Sequence, residues 1–135
     1  MLILDLSNLG ATMEKEDQVK YLANVYHILL ADGQVDPVET RVNDAIAREI
    51  GAGYFERKAA QQSAEGEQFE FQYLDRWSDR LRNLEDILFA AFCNGVTEPS
   101  EKTQIKTYLK PLRIKQEQLD LMISQAKQRH KEFKR

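Results

Sequence analysis

Three carboxylates, Asp32, Asp36 and Glu39, fall within eight residues of one another in the segment ADGQVDPVE. Carboxylate oxygens gathered around a tight turn suit a hard divalent cation such as Ca²⁺ or Mg²⁺. Mn²⁺ and Zn²⁺ are further candidates for the same oxygens. The segment matches the second half of an EF-hand loop, with Asp32 at loop position 5, Gly33 at 6, Asp36 at 9 and Glu39 at 12. Positions 1 and 3 then fall on Ile28 and Leu30, which have no oxygen to donate, so a standard EF-hand is excluded.

The same acids have an ordinary structural reading. Pro37 fits the first position of a helix, where its missing N–H costs nothing. Asp36 is then the N-cap and Glu39 lies three residues on, at capping-box spacing. Capping accounts for two of the three acids. Asp32 is left at the C-terminal end of the preceding helix, where the dipole disfavours negative charge. A cation, or a Lys or Arg brought in by the fold, is expected to compensate it.

Other residues capable of chemistry are scattered. His27 and His130 are far apart in the chain, and Cys93 is their one softer companion. His27 is read as a partly exposed helix residue, His130 as part of a solvated basic helix end, and Cys93 as a small hydrophobe. Gly51-Ala52-Gly53-Tyr54-Phe55-Glu56 imitates the start of a dinucleotide fingerprint, but a helix precedes it and the third glycine is missing, so it reads as a helix stop. Phe69-Glu70-Phe71-Gln72-Tyr73, with Trp77, reads as core packing or a strap between helices; the functional alternative is an exposed aromatic surface for a partner. The basic run Lys127–Arg135 reads as a solvated helix end.

These residues are carried by helices. Glu14–Ala31 places Val19, Leu22, Val25, Tyr26, Leu29 and Leu30 at three- and four-residue spacing on one stripe, and Gly33 ends it. A second helix is expected from Pro37 to about Ile50, and a third over Tyr54–Ser63. From Leu74 the apolar period resumes through Trp77, Leu81, Leu84, Leu88, Ala91 and Phe92, and Gly95 ends it. Further helices are predicted over Glu98–Leu109, with Pro111 as its stop or kink, and over Gln116–Phe133. No alternating strand pattern is present. The expected fold class is all-α: a bundle of six or seven helices in one domain spanning residues 1–135.

Composition sets the outer limits. The chain has 135 residues, of which 42% are hydrophobic and 30% charged, enough to bury a core and against disorder. A net charge of −3 argues against nucleic acid as a partner. One cysteine excludes an internal disulfide. Met1–Asp5 has no basic leader and nothing in the chain approaches a membrane span, so the expected location is cytoplasmic, without membrane insertion.

The turn is repeated. Asn94-Gly95-Val96-Thr97-Glu98-Pro99-Ser100-Glu101 answers Asp32-Gly33-Gln34-Val35-Asp36-Pro37-Val38-Glu39 at an offset of 62 residues, 94 minus 32. The expected organisation is therefore two related helical hairpins, roughly residues 14–63 and 74–135. With the apolar helix Tyr21–Ala31 before it, the motif [DN]-G-x-x-[DE]-P-x-E resembles the TerB-like superfamily, which includes tellurite-resistance TerB and the N-terminal domain of DjlA-type co-chaperones. The resemblance implies about seven helices in two pseudo-repeated halves, a divalent cation at acidic loop residues, and a role in tellurite and stress resistance. Asn94 and Glu98 depart from the first copy, which puts a second equivalent metal site in doubt.

The leading expectation is a non-catalytic stress-associated domain that binds protein partners, with Asp32, Asp36 and Glu39 as metal ligands. The alternative is a purely structural or adaptor domain without metal. An enzyme with a distributed carboxylate site is a third reading, and the Glu-x-x-His spacing of helical metal centres is missing from the chain.

Overall fold

The computed structural model describes residues 13–30, 37–66, 68–94 and 105–133, with main chain alone at 37–39 and 94. Five α-helices are described from end to end of the main chain: α1 (Lys15–Leu29), α2 (Pro37–Ile50), α3 (Tyr54–Ala64), α4 (Trp77–Asn94) and α5 (Gln116–Phe133). Residues 105–109 are also helical and run into a 3₁₀ turn at Lys110–Leu112 that contains Pro111. No strand occurs among the described residues, so the bundle is all-α. The second copy of the turn, 95–101, lies outside the described residues.

Helix α1 is the axis of the bundle. It packs most extensively on α3, then on α4 and α2, while α5 packs on α4. Neighbours on several sides bury far more of α1 than the expected stripe. Tyr21, Ala23 and Ile28 are buried with Leu22, Val25 and Leu29, and so are the polar Asp17, Gln18 and Asn24. Val19, Tyr26 and Leu30 are only half-buried. A single apolar face is what a surface helix needs; a helix enclosed by others buries polar residues too, provided they find partners.

Helix α2 ends where a glycine permits it. Gly51 takes φ 78°, its N–H donates to the Arg48 carbonyl (3.2 Å), and the Ala52 N–H reaches back to Ala47 (2.9 Å). That pair of bonds is the Schellman closure, which satisfies carbonyls the helix end would orphan. The turn swings α3 back against α1.

Helix α4 begins later than the apolar period suggests. Leu74 is buried but belongs to the extended segment before the helix, and Trp77, expected in the core, is 48% exposed in the first turn. In its place Asp79 turns inward, held by Arg76 through Nε–Oδ2 at 2.8 Å and Nη2–Oδ1 at 3.3 Å. From Asn83 to Ala90 every residue except Glu85 is buried, because α1, α2 and α5 press on different faces of the helix.

Candidate functional site

The carboxylates singled out above cannot be placed: Asp32 and Asp36 lie outside the described residues, and Glu39 is described by its main chain alone. Pro37 does head α2, as its fit to a first helical position requires. Among the described residues no group of three His, Cys, Asp or Glu side chains is arranged to hold a metal ion.

The structure does assemble a groove around the aromatic segment. Residues 68–76 leave α3 and cross the bundle without regular structure. Asn24, fully buried in α1, fixes this strap: its Oδ1 accepts the Gln72 N–H at 2.8 Å and its Nδ2 donates to the Gln72 carbonyl at 2.7 Å. One side-chain amide thus satisfies both main-chain groups of Gln72, as a neighbouring strand would. The second hydrogen of Asn24 Nδ2 goes to Asn83 Oδ1 (2.7 Å), which also accepts the Tyr108 hydroxyl (3.1 Å). Asn83 Nδ2 in turn donates to the Tyr21 carbonyl (3.1 Å). Burying these amides is tolerable because the network is closed.

On this base the rings form a wall. Tyr73 stacks on Tyr108 with centroids 4.8 Å apart, and Phe71 meets Tyr108 edge-on at 5.4 Å. Phe69 lies over the His27 ring at 4.7 Å, so His27 is half-buried among aromatics. The Tyr73 hydroxyl donates to the Tyr108 carbonyl at 3.2 Å, pinning the strap to the segment that carries Tyr108. Burial, reinforced by the neighbouring Tyr73, holds the Tyr108 hydroxyl well above its ordinary pKa, and burial raises Tyr73 as well. Both stay neutral hydrogen-bond donors at physiological pH. The open space beside them is about 640 Å³, lined by Phe69, Phe71, Tyr73 and Tyr108 with Gln68, Glu70 and Thr107 at its edges. Its size and mixed lining are those of a binding groove for a small ligand or a few side chains. Core packing and an aromatic surface were alternatives in the sequence; these rings do both, one side on the core and the other on the groove.

A second polar cluster is charged. Asp86 of α4, almost wholly buried, accepts a hydrogen bond from the Tyr21 hydroxyl and another from Arg129 Nη1 at 2.5 Å. The Arg129 guanidinium lies over the Phe89 ring, 4.1 Å from its centroid, and reaches Glu49 at 3.5 Å. Burial, then the charge of Asp86, drives the Tyr21 hydroxyl far above its ordinary pKa. Burial works against the charge on Arg129, but its hydrogen bond to Asp86 and the negative charges of Asp86 and Glu49 together outweigh this and hold it above the usual arginine value. A tyrosine, a carboxylate and an arginine in contact suggest proton chemistry, yet the space beside Arg129 is about 50 Å³, room for a few waters and too small for a substrate. The cluster ties α1, α4 and α5 together.

The basic C-terminal run is solvated at Lys127 and Lys131, as read from the sequence, and departs from that reading at Arg129 and His130. Arg129 turns inward to Asp86, Lys127 lies over the Phe92 ring at 5.7 Å, and His130 is half-buried. Cys93 is half-buried against the core, in keeping with a small hydrophobe. Sequence reasoning missed Asn24, Asn83 and Asp86. Their one local signal was a polar residue inside an apolar run, Tyr21–Ile28 for the first and Leu81–Phe92 for the others.

Comparison of the chain with protein-family models, with curated proteins and with solved structures finds no match.

Proposed function

We propose that the chain is a non-catalytic, TerB-like interaction domain that receives a partner protein in the aromatic groove. The observation that supports this is the groove itself: four aromatic side chains around about 640 Å³, three of them on a strap whose Gln72 is anchored at both main-chain groups by Asn24. A wall fixed before binding loses little conformational entropy when occupied. The buried Asn24, Asn83 and Asp86, meanwhile, are engaged with other protein groups rather than with the open space. A benzophenone amino acid at Thr107, on the groove edge, should crosslink a discrete protein in cells, whereas one at Ser124 on α5 should not. Equal labelling from both positions, or from neither, refutes the reading.

The repeated acidic turn favours a second component. In this proposal Asp32, Asp36 and Glu39 bind one divalent cation, and the domain serves a stress response such as tellurite resistance in the cytoplasm. Protein stripped with EDTA should then gain thermal stability from Ca²⁺, Mg²⁺, Mn²⁺ or Zn²⁺, and Asp32→Asn should abolish the gain. No shift with any of the four ions refutes the metal site and leaves Asp36 and Glu39 as capping residues.

A further inference from the structure

The two most exposed large side chains among the apolar residues described are neighbours, Tyr54 at 68% and Phe55 at 80%. Their rings meet edge to face with centroids 5.5 Å apart. They open α3 immediately after the turn that closes α2, so a rigid corner projects them into solvent. Neither belongs to the core cluster or its packed periphery, so folding gains little from having aromatic residues there. The groove is at the other end of α3, about 16 Å away along an 11-residue helix.

The charge around this corner is uneven. Lys58 is exposed and lies four residues after Tyr54 and three after Phe55, hence on the same helix face. Arg48 is exposed in the last turn of α2, just before the corner. Two of the nearby acids are occupied elsewhere, Glu49 facing Arg129 at 3.5 Å and Asp44 facing Arg57 at 3.4 Å, while the Glu56 carboxylate stays at the corner beside Gly53. No ion pair joins Arg48 or Lys58 to another described residue. Two aromatic rings, with Lys58 on their helix face and Arg48 in the turn before them, carry two cations against the one carboxylate of Glu56, and this excess is complementary to a segment that is both apolar and acidic.

We infer that the Tyr54–Phe55 corner is a second docking surface, taking an acidic peptide segment of a partner protein that carries at least one apolar side chain. The rings cover the apolar side chain, and Arg48 and Lys58 face the carboxylates. The inference rests on the reading of the chain as an interaction domain but uses a different face from the groove. A peptide fits better than a dense polyanion, because the chain as a whole carries a charge of −3 and is repelled by a strongly anionic surface.

The test uses the ¹⁵N-labelled full chain and a twelve-residue peptide of leucines interleaved with Glu and Asp, titrated alongside its Gln/Asn analogue. The acidic peptide should shift resonances of Arg48 and residues 51–58. The Gln/Asn analogue should bind several-fold more weakly. Tyr54→Ser with Phe55→Ser should weaken the acidic peptide about tenfold or more, and Lys58→Gln about threefold. All these side chains are exposed, and an unchanged melting temperature certifies the fold of each variant. Equal affinity for the analogue, or no shift at the corner at millimolar peptide, overturns the inference. Shifts at residues 68–73 and at Thr107 and Tyr108 instead would keep the interaction-domain reading and overturn this surface. Co-sedimentation with phosphatidylcholine/phosphatidylglycerol vesicles, lost in the double serine variant, would assign the corner to a lipid surface and equally overturn it. Loss of both the peptide response and the Thr107 crosslink would take the interaction-domain reading down as well.

Discussion

Two buried polar clusters hold this bundle together, and they differ in what they tie and in how they are satisfied. The cluster around Asp86 is charged, and it fastens the last helix to the centre through one carboxylate shared by Tyr21 and Arg129. The cluster around Asn24 is neutral, and it fastens an irregular strap through hydrogen bonds that use the Asn24 oxygen and both of its Nδ2 hydrogens. A buried charge loses far more when its partner is removed than a neutral amide does. The charged tie should therefore dominate stability, while the neutral tie should dominate the shape of the groove.

The largest expected effect follows from the charged side. Asp86→Ala leaves the buried Tyr21 hydroxyl without an acceptor and the half-buried Arg129 guanidinium without its shorter partner, and should cost about 3–5 kcal/mol in urea unfolding. Arg129 keeps Glu49 as a second, exposed partner, which puts the loss at the lower part of that span. A loss below about 1 kcal/mol would show that Asp86 and Arg129 are no better than a surface pair.

Asn24→Ala should cost less, about 2–3 kcal/mol, since both main-chain groups of Gln72 lose their partner while Asn83 Oδ1 keeps the Tyr108 hydroxyl. Its signature is local: hydrogen exchange at the Gln72 amide should accelerate more than exchange in α4. Uniform acceleration in both places would remove the distinction between the two clusters.

A third buried acid, Asp17, sharpens the comparison because it is poorly paired. Burial, and then the charge of Asp75, raise its pKa above the ordinary carboxylate value, with Lys20 at 3.8 Å only partly offsetting them. The folded state therefore binds this proton more tightly than the unfolded chain does. The contribution of neutral Asp17 is fully present below the unfolded value of 3.8 and is lost as pH rises through the raised folded value. Asp17→Asn should thus raise the melting temperature at pH 7, and the gain should fade as pH falls toward that value. A variant less stable than wild type at pH 7 would instead place Asp17 with Asp86, as an acid whose charge the fold uses.

The smallest effect concerns the turn into α5. Arg113 adopts φ 52°, a left-handed conformation strained for a residue with a Cβ. Arg113→Gly should stabilise by at most about 1 kcal/mol, because relief of the strain is offset by the greater freedom of glycine in the unfolded chain. Destabilisation would mean that the Arg113 side chain makes a contact that matters more than its backbone.

Much of the fold was legible along the chain. The bounds of α2 and α5 follow from Pro37, Gly51 and the apolar spacing of 116–133, because caps, glycines and periodicity act through near neighbours. Trp77 misled for a related reason: period alone does not reveal that a helix is just starting and its first turn projects beyond the core. The candidate site was half legible. Phe69, Phe71 and Tyr73 stood out by composition, but Tyr108, which completes the groove, comes from 35 residues beyond Tyr73.

The sequence by itself determined that the chain is helical, where several helices stop, and which aromatic segment departs from helical order. These depend on backbone preferences and side-chain spacing within a few residues. Only the tertiary structure decided that Asn24 would hold the strap, that Arg129 would leave the solvated run for Asp86, and that Tyr54 and Phe55 would remain outside. Each of those outcomes depends on which surfaces meet across the bundle, and a buried polar residue resembles an exposed one until its partner, 43 to 59 positions away, is brought beside it.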